Sequence, residues 1–228
     1  VLAADDVTLH VAPGETLALI GPNGSGKTTL LKALVGLVRP SMGRVEIAGL
    51  DATTGGAAAR RATGYLPQRP GFQDGVTARA LLRLCARLRG VPARPAEELL
   101  DRVGLADAAD RVVDGFSGGM RQRLGLAVAL VGTPPALVLD EPSAALDPTG
   151  ALLVRDLIRE LRREGTTVLL SSHDLAEVAS VADRVAVFSA GRMRAVGSVY
   201  ELENATGARS IEDVYRCLTG QMALRRVA

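Results

Sequence analysis

The residues Gly21-Pro22-Asn23-Gly24-Ser25-Gly26-Lys27-Thr28 constrain this chain more than any other stretch, because they fit G-x-x-x-x-G-K-[ST]. The run Thr16 to Ile20 before them reads as a buried strand. Lys27 to Val35 after them reads as a helix that stops at Gly36. Glycines let backbone N–H groups converge on phosphate oxygens, and a helix N-terminus adds favourable dipole charge. Lys27 is placed to reach the β- and γ-phosphates and Thr28 to bind Mg²⁺, and Thr29 is counted with them as nucleotide-binding. Lysine occurs only at positions 27 and 32, and the other 25 basic residues are arginines, so the lysine here is not a casual choice. A glycine-rich turn that merely caps a helix is the simpler alternative. The full match, in a strand–loop–helix context, speaks against it.

Apolar runs alternate with helix-period segments along the rest of the chain. Arg44 to Ile47 reads as a strand with a turn at Ala48-Gly49, and Ala62 to Leu66 as a weaker strand closed by Pro67. His10 lies in a strand-like alternation and is given no role. From Thr77 to about Val131 the pattern is helical. Thr77 can cap Ala78 to Leu88, Pro95 suits a first helical turn, and Ser117 can cap a helix through Leu130. Strand signals return at Ala136 to Leu139, Thr166 to Leu170, Arg184 to Phe188 and Met193 to Val196, the last two flanking a Ser-Ala-Gly-Arg hairpin turn. Between and after them, Pro148 to Arg163, Asp174 to Ala182, Val199 to Asn204 and Ile211 to Leu218 read as helices. The expected fold is α/β: a P-loop NTPase core with a mainly parallel sheet covered on both faces, an N-terminal antiparallel β portion and an inserted α-helical subdomain.

In such a sheet, ligands sit beyond the carboxyl ends of the strands. Asp140 and Glu141 follow the run Ala-Leu-Val-Leu, so Asp140 can face a metal beside the phosphate loop and Glu141 can polarise a water as general base. The alternative is a solvated acidic pair opening a turn before Pro142, which loses ground beside a phosphate loop. His173 ends another apolar run and could donate a hydrogen bond to a γ-phosphate, although by itself it would read as a helix-entry residue next to the Asp174 cap.

Phe116-Ser117-Gly118-Gly119-Met120-Arg121-Gln122-Arg123, ahead of Ala136 to Asp147, makes the order of motifs resemble an ATP-binding-cassette ATPase over nearly the whole chain. In that resemblance Gly21 to Thr28 is Walker A, Gln68 in Tyr-Leu-Pro-Gln is the Q-loop glutamine, and Ser117-Gly118-Gly119 is the signature. Leu137 to Glu141 is Walker B, Ser143 to Asp147 the D-loop, and His173 the switch histidine. Ser117 and the two glycines make a second anion site at a helix N-terminus. The resemblance explains it: two cassettes pack head to tail, and the signature of one closes on the ATP of the other. It implies ATP hydrolysis with Glu141 deprotonating water, with Lys27, Mg²⁺ and the loop amides stabilising phosphate charge. Gln68 links a metal site made with Thr28 and Asp140 to the helical subdomain, and Asp147 communicates across the dimer.

The sequence departs from the family at Met120, where the signature has glutamine; Gln122 lies two positions on. Ser143 and Ala144 are a minor change in the D-loop. The family stacks adenine on an upstream aromatic, yet no Phe, Tyr or Trp precedes Tyr65, and the segment Asp5-Asp6-Val7-Thr8-Leu9 comes almost first. The expectation is that the aromatic and a first strand have been cut away, so that 1–228 is a single nucleotide-binding domain with a helical subdomain at about 68–116. That subdomain resembles the surface that receives the coupling helices of a membrane permease. The tail Ser-Ile-Glu-Asp-Val-Tyr-Arg-Cys-Leu-Thr-Gly resembles ABC-2-type exporter ATPases, among them drug-efflux types and those of copper processing for nitrous oxide reductase.

The implied partners are a permease and a second ATPase subunit, identical or not, at the inner face of the cell membrane, with ATP and Mg²⁺ as ligands. The 47% apolar and 23% charged content excludes a disordered chain, and Cys85 and Cys217 read as two reduced thiols. No apolar run is long enough to span a bilayer, and a net charge of +2 gives no footprint for nucleic acid. A GTPase would carry Asn-Lys-x-Asp, which is absent, and a small-molecule kinase would not need Ser117-Gly118-Gly119. The length of 228 residues does not fit the DNA-repair or ribosomal cassettes. A soluble or non-transport cassette serving as an ATP-dependent dimerisation switch is the alternative reading, against which Glu141 and His173 stand.

Overall fold

The computed structural model describes residues 3–54 and 56–220. Its strands are β1 (Thr16–Ile20), β2 (Glu46–Ile47), β3 (Leu50–Asp51), β4 (Thr63–Leu66), β5 (Ala136–Asp140), β6 (Thr167–Ser171), β7 (Arg184–Ser189) and β8 (Arg192–Gly197). Its helices are α1 (Lys27–Leu34), α2 (Ala57–Arg61), α3 (Ala78–Arg89), α4 (Ala93–Arg102), α5 (Gly118–Leu130), α6 (Pro148–Arg163), α7 (Leu175–Val181), α8 (Val199–Thr206) and α9 (Ile211–Thr219).

Six strands form one sheet in the order β4-β5-β6-β1-β7-β8, parallel except for the β7–β8 hairpin at its edge. All five residues of β1 are buried, as a central strand covered on both faces requires. Its side chains alternate: Leu17 and Leu19 join one core with Leu31 of α1 and Phe188, while Ala18 and Ile20 join the larger core against the helices of the opposite face. The register aligns the strand ends, with Leu19 opposite Ser171, Ser171 opposite Asp140, and Leu139 opposite Leu66. The loops after β1, β4, β5 and β6 therefore leave from one edge.

The inserted helices stand between β4 and β5. Thr77 caps α3 by accepting from the N–H of Ala80, and Gly90 ends that helix in the left-handed conformation. Arg79 and Arg83 on α3 bridge to Glu97 on α4, and Arg79 also pairs with Asp110. Helix α5 is apolar nearly all round and runs back under the sheet, where Leu124, Leu126, Ala127, Ala129 and Leu130 are buried. Its approach is close: a Cβ on Gly64 would meet the Ala129 carbonyl oxygen at 2.1 Å, and one on Gly125 would meet Leu66 at 2.7 Å.

Two expectations are corrected. The strand at Arg44 to Ile47 shrinks to Glu46–Ile47, which turns through Ala48 (φ 50) and Gly49 (φ 75) onto Leu50–Asp51, because the Val45 N–H donates to the Thr53 hydroxyl (2.8 Å) and not to a facing backbone. The alternation around His10 forms no strand. Val7, Leu9 and Val11 pack onto the core containing Leu17 and Phe188, but no neighbouring strand pairs with that backbone among the described residues. No described helix is long and apolar enough to cross a membrane.

Candidate nucleotide site

The loop between β1 and α1 is closed down onto the sheet. A Cβ on Gly21 would lie 2.0 Å from the Phe188 carbonyl oxygen; one on Gly26, whose φ is 107, would lie 1.8 Å from that of Ala3. Only glycine fits at either position. No side chain caps α1, so its first backbone N–H groups are left to an incoming anion. Lys27 Nζ donates to the carbonyls of Gly21 (2.6 Å) and Pro22 (3.1 Å), which holds the ammonium across the mouth of the loop. Burial lowers its pKa, and the charges of Glu141 and Asp140 partly oppose that shift. Ser25 is buried within the loop, and its hydroxyl has no partner among the described residues.

Asp140 ends β5 and is 1% exposed. Its Oδ1 accepts from Ser171 Oγ (2.6 Å) and from Thr28 Oγ1 (3.2 Å), while Oδ2 is buried with no partner among the described residues. A buried carboxylate oxygen left over in this way calls for a cation or a metal-bound water. Together with the Thr28 hydroxyl it offers the hard oxygen donors that suit Mg²⁺. No cluster of three His, Cys, Asp or Glu that could enclose a metal occurs among the described residues. Mg²⁺ at a phosphate site does not need one, since it keeps several waters and takes substrate oxygens.

Glu141, the next residue, is buried with a left-handed backbone, φ 54. Its N–H donates to Ser171 at both the carbonyl (3.2 Å) and Oγ (3.0 Å), its carbonyl accepts from Gln122 Nε2 (3.2 Å), and its Oε2 lies 2.6 Å from Nδ1 of the exposed His173. Lys27, Thr28, Asp140, Glu141 and His173 thus gather at one sheet edge, a carboxylate held beside an imidazole where a water could be deprotonated. Tyr65 lies on the same side, its phenol pushed up to about 12 by burial and by the charge of Asp140.

The other expected residues lie apart. Gln68 follows β4 at the same edge, but its side chain is exposed and makes no hydrogen bond among the described residues. Ser117 caps α5 by accepting from the N–H of Met120 (3.2 Å). Ser117, Gly118 and Gly119 line a groove of about 320 Å³ together with Met120, Arg123 and the Ala145–Asp147 segment. Asp147 faces that groove and caps α6 through the Gly150 N–H at 2.7 Å. Gln122 does not stand in for the glutamine missing at Met120, because it is 2% exposed and turned inward to Glu141.

Three residues had no announced role in the sequence. Ser171 ties both carboxylate residues together, and Gln122 reaches Glu141 from α5. Glu177 on α7 is buried and accepts hydrogen bonds from Ser143 Oγ and from Ser172 Oγ (2.7 Å), joining the segment after Glu141 to the one before His173. Gln122 stands between Arg121 and Arg123, and nothing in the pattern marked it as the buried one. Nothing in the pattern marked Glu177.

A family model described as ABC transporter matches residues 4–144, more than half of the chain. The chain belongs to the ABC transporter family. This ABC ATPase is 43% identical over 218 residues to the daunorubicin resistance ATP-binding protein DrrA3 of Streptomyces coeruleorubidus, covering 94% of this chain and 69% of that protein. It is 39% identical over 216 residues to the Nod factor export ATP-binding protein I of Burkholderia thailandensis, covering 92% and 71%. Among solved structures, an ATP-binding subunit of an ABC transporter superposes with a TM-score of 0.88 at 31% identity, over 95% of this chain and 92% of that one. The dimeric cassette MJ0796, in a post-hydrolysis state bound to ADP and Pi, gives a TM-score of 0.80 at 26% identity, over 86% and 90%.

Proposed function

We propose that this ABC ATPase works as one of two cassettes that close on ATP head to tail and drive export through a separate permease at the membrane. The reading treats 1–228 as a single nucleotide-binding domain, with 68–116 as the helical subdomain that meets the permease. One observation carries it: the glycine-bearing N-terminus of α5 opens on a groove away from Lys27, Asp140, Glu141 and His173. Each chain then holds one loop with catalytic groups and one anion site without them, and two chains make two complete sites. The exporter relative and the form of the tail support the direction of transport.

In this reading the loop amides and Lys27 hold the β- and γ-phosphates. Glu141 takes a proton from the attacking water, and His173 orients that carboxylate and donates to the γ-phosphate. Thr28 and Asp140 would hold Mg²⁺, with Gln68 joining them once the helical subdomain moves in. When bound, the ion neutralises charge on the phosphates.

The test is ATP-dependent dimerisation, followed by size-exclusion chromatography with light scattering, with and without Mg²⁺. Glu141→Gln should give a lasting ATP-bound dimer, while the parent dimerises briefly and separates as phosphate is released. A parent dimer that persists on ATP without releasing phosphate would instead mark a dimerisation switch. Absence of a dimer in both forms would break the head-to-tail reading.

A further inference from the structure

We propose that Gln122 is a positioning residue that couples the groove at the N-terminus of α5 to Glu141 of the same chain. The inference rests on the head-to-tail reading above and concerns how one site senses the other. Glu141 carries a backbone conformation that non-glycine residues rarely adopt, φ 54, so its carboxylate direction depends on what pins the peptide on either side. Two of its anchors, Ser171 on its N–H and His173 on its carboxylate, come from β6 and the loop that follows. The third is the Gln122 side-chain amide on its carbonyl at 3.2 Å, and this one comes from α5.

That helix begins at Ser117-Gly118-Gly119, so the groove and the anchor lie on one rigid element, within about 8 Å at 1.5 Å of rise per residue. Past Gln122 the helix is seated tightly, since Gly64 against Ala129 and Gly125 against Leu66 admit no side chain, so a push on its N-terminus is taken up in the turn that carries Gln122. Gln122 is also buried, at 2% exposure, so its amide has no water to bond to instead. A ligand that presses on the N-terminus of α5 displaces its first turns, and the displacement reaches the Glu141 carbonyl through one hydrogen bond. A chain with an empty groove holds Glu141 less exactly, and hydrolysis waits for the partner's nucleotide.

The experiment compares the parent with Gln122→Met, which keeps the length and helix preference of the side chain and removes the donor. Steady-state hydrolysis is measured over a range of ATP concentrations, alongside thermal unfolding and ATP-held dimerisation. The expected result is a fall in kcat of at least tenfold with KM unchanged, a lower Hill coefficient, and a dimer that outlives that of the parent. A merely structural role would lower the unfolding temperature and weaken nucleotide binding, leaving cooperativity among surviving molecules as before; that outcome overturns the inference. Parent-like kcat and Hill coefficient overturn it as well.

A second variant guards against misfolding. In single-turnover hydrolysis, Gln122→Met added to Glu141→Gln should slow the reaction no further, since Gln122 acts only through Glu141. Additive losses would place its effect elsewhere and overturn the inference. If Glu141→Gln itself hydrolyses like the parent, the head-to-tail catalytic reading fails first. If Glu141→Gln is slow while Gln122→Met matches the parent, only the present inference fails.

Discussion

Helices α1 and α5 both begin beside glycines, α1 with no side-chain cap among the described residues and α5 capped by Ser117, and they are built in opposite ways. The start of α1 is sunk into the sheet edge: Gly21 and Gly26 touch the backbone of Phe188 and Ala3, a lysine lies across the loop, and two carboxylates stand opposite. The start of α5 faces an open groove, where a Cβ on Gly118 would find its nearest neighbour at 3.9 Å, the methyl group of Ala145. The first is closed and lined with charged groups. In the head-to-tail reading, the second receives an anion and does nothing to it. The difference teaches that a helix N-terminus supplies binding, while reaction needs what the neighbouring strand ends bring.

The sharpest way to break this contrast is to disable one end at a time. Lys27→Ala should lower hydrolysis by about 10²–10³, the cost of losing a charge-stabilising donor, and should weaken binding of a fluorescent ATP analogue to the monomer. Gly119→Asp puts a negative side chain at the groove beside Ala145, so the monomer should bind the analogue as the parent does and fail to dimerise or hydrolyse. If both variants lose monomer binding, the two ends are not separate. Next in size is steric demand. Gly21→Ala forces a backbone overlap and should cost more than about 3 kcal/mol in urea unfolding, while Gly118→Ala should stay within about 0.5 kcal/mol. Equal losses would mean that the groove is as closed as the loop.

Glu177→Ala should cost about 1–3 kcal/mol, because two hydroxyls lose a buried acceptor. It should also loosen the segments that carry Ser143 and Ser172, read as faster amide exchange there. The smallest effect concerns Lys27. Its pKa is lowered in the folded chain, so the unfolded chain holds that proton more tightly, and Lys27 contributes a rise of nucleotide-free stability with pH between the lowered value and the ordinary lysine value of 10.5, against the fall contributed by the raised Cys85 and Tyr65. Urea midpoints should therefore fall more steeply with pH across that window in Lys27→Met than in the parent.

The sequence disclosed the start of both helices, the Ser117 cap of α5 included, but not what α5 touches. Strand β1, the loop and α1 follow from a local pattern of apolar run, glycines and helix period, and the structure reproduces them within a residue. Asp140, Glu141 and His173 were legible because parallel strands end together, so a residue after an apolar run has a known address. The role of Gln122 was not legible because position along a helix does not say which way its side chain turns, and here burial against Glu141 decided it. Glu177 was invisible because its partners, Ser143 and Ser172, come from two other segments, and long-range pairs of short side chains leave no period in a sequence. The extended stretch at 7–12 was misread because alternation reports a buried face and not a strand partner.

The left-handed backbone at Glu141 has a bearing on protein engineering. A library sorted for expression or heat resistance would gain at position 141 from glycine or asparagine, which accept φ 54 without strain and bury no charge. Such a sort would enrich a hardier chain that has discarded its acid, and it would do so without any change elsewhere in the fold. Stabilising programmes on this scaffold should therefore hold position 141 fixed and look for their gains at an exposed hydrophobic residue outside the helical subdomain, such as Met42.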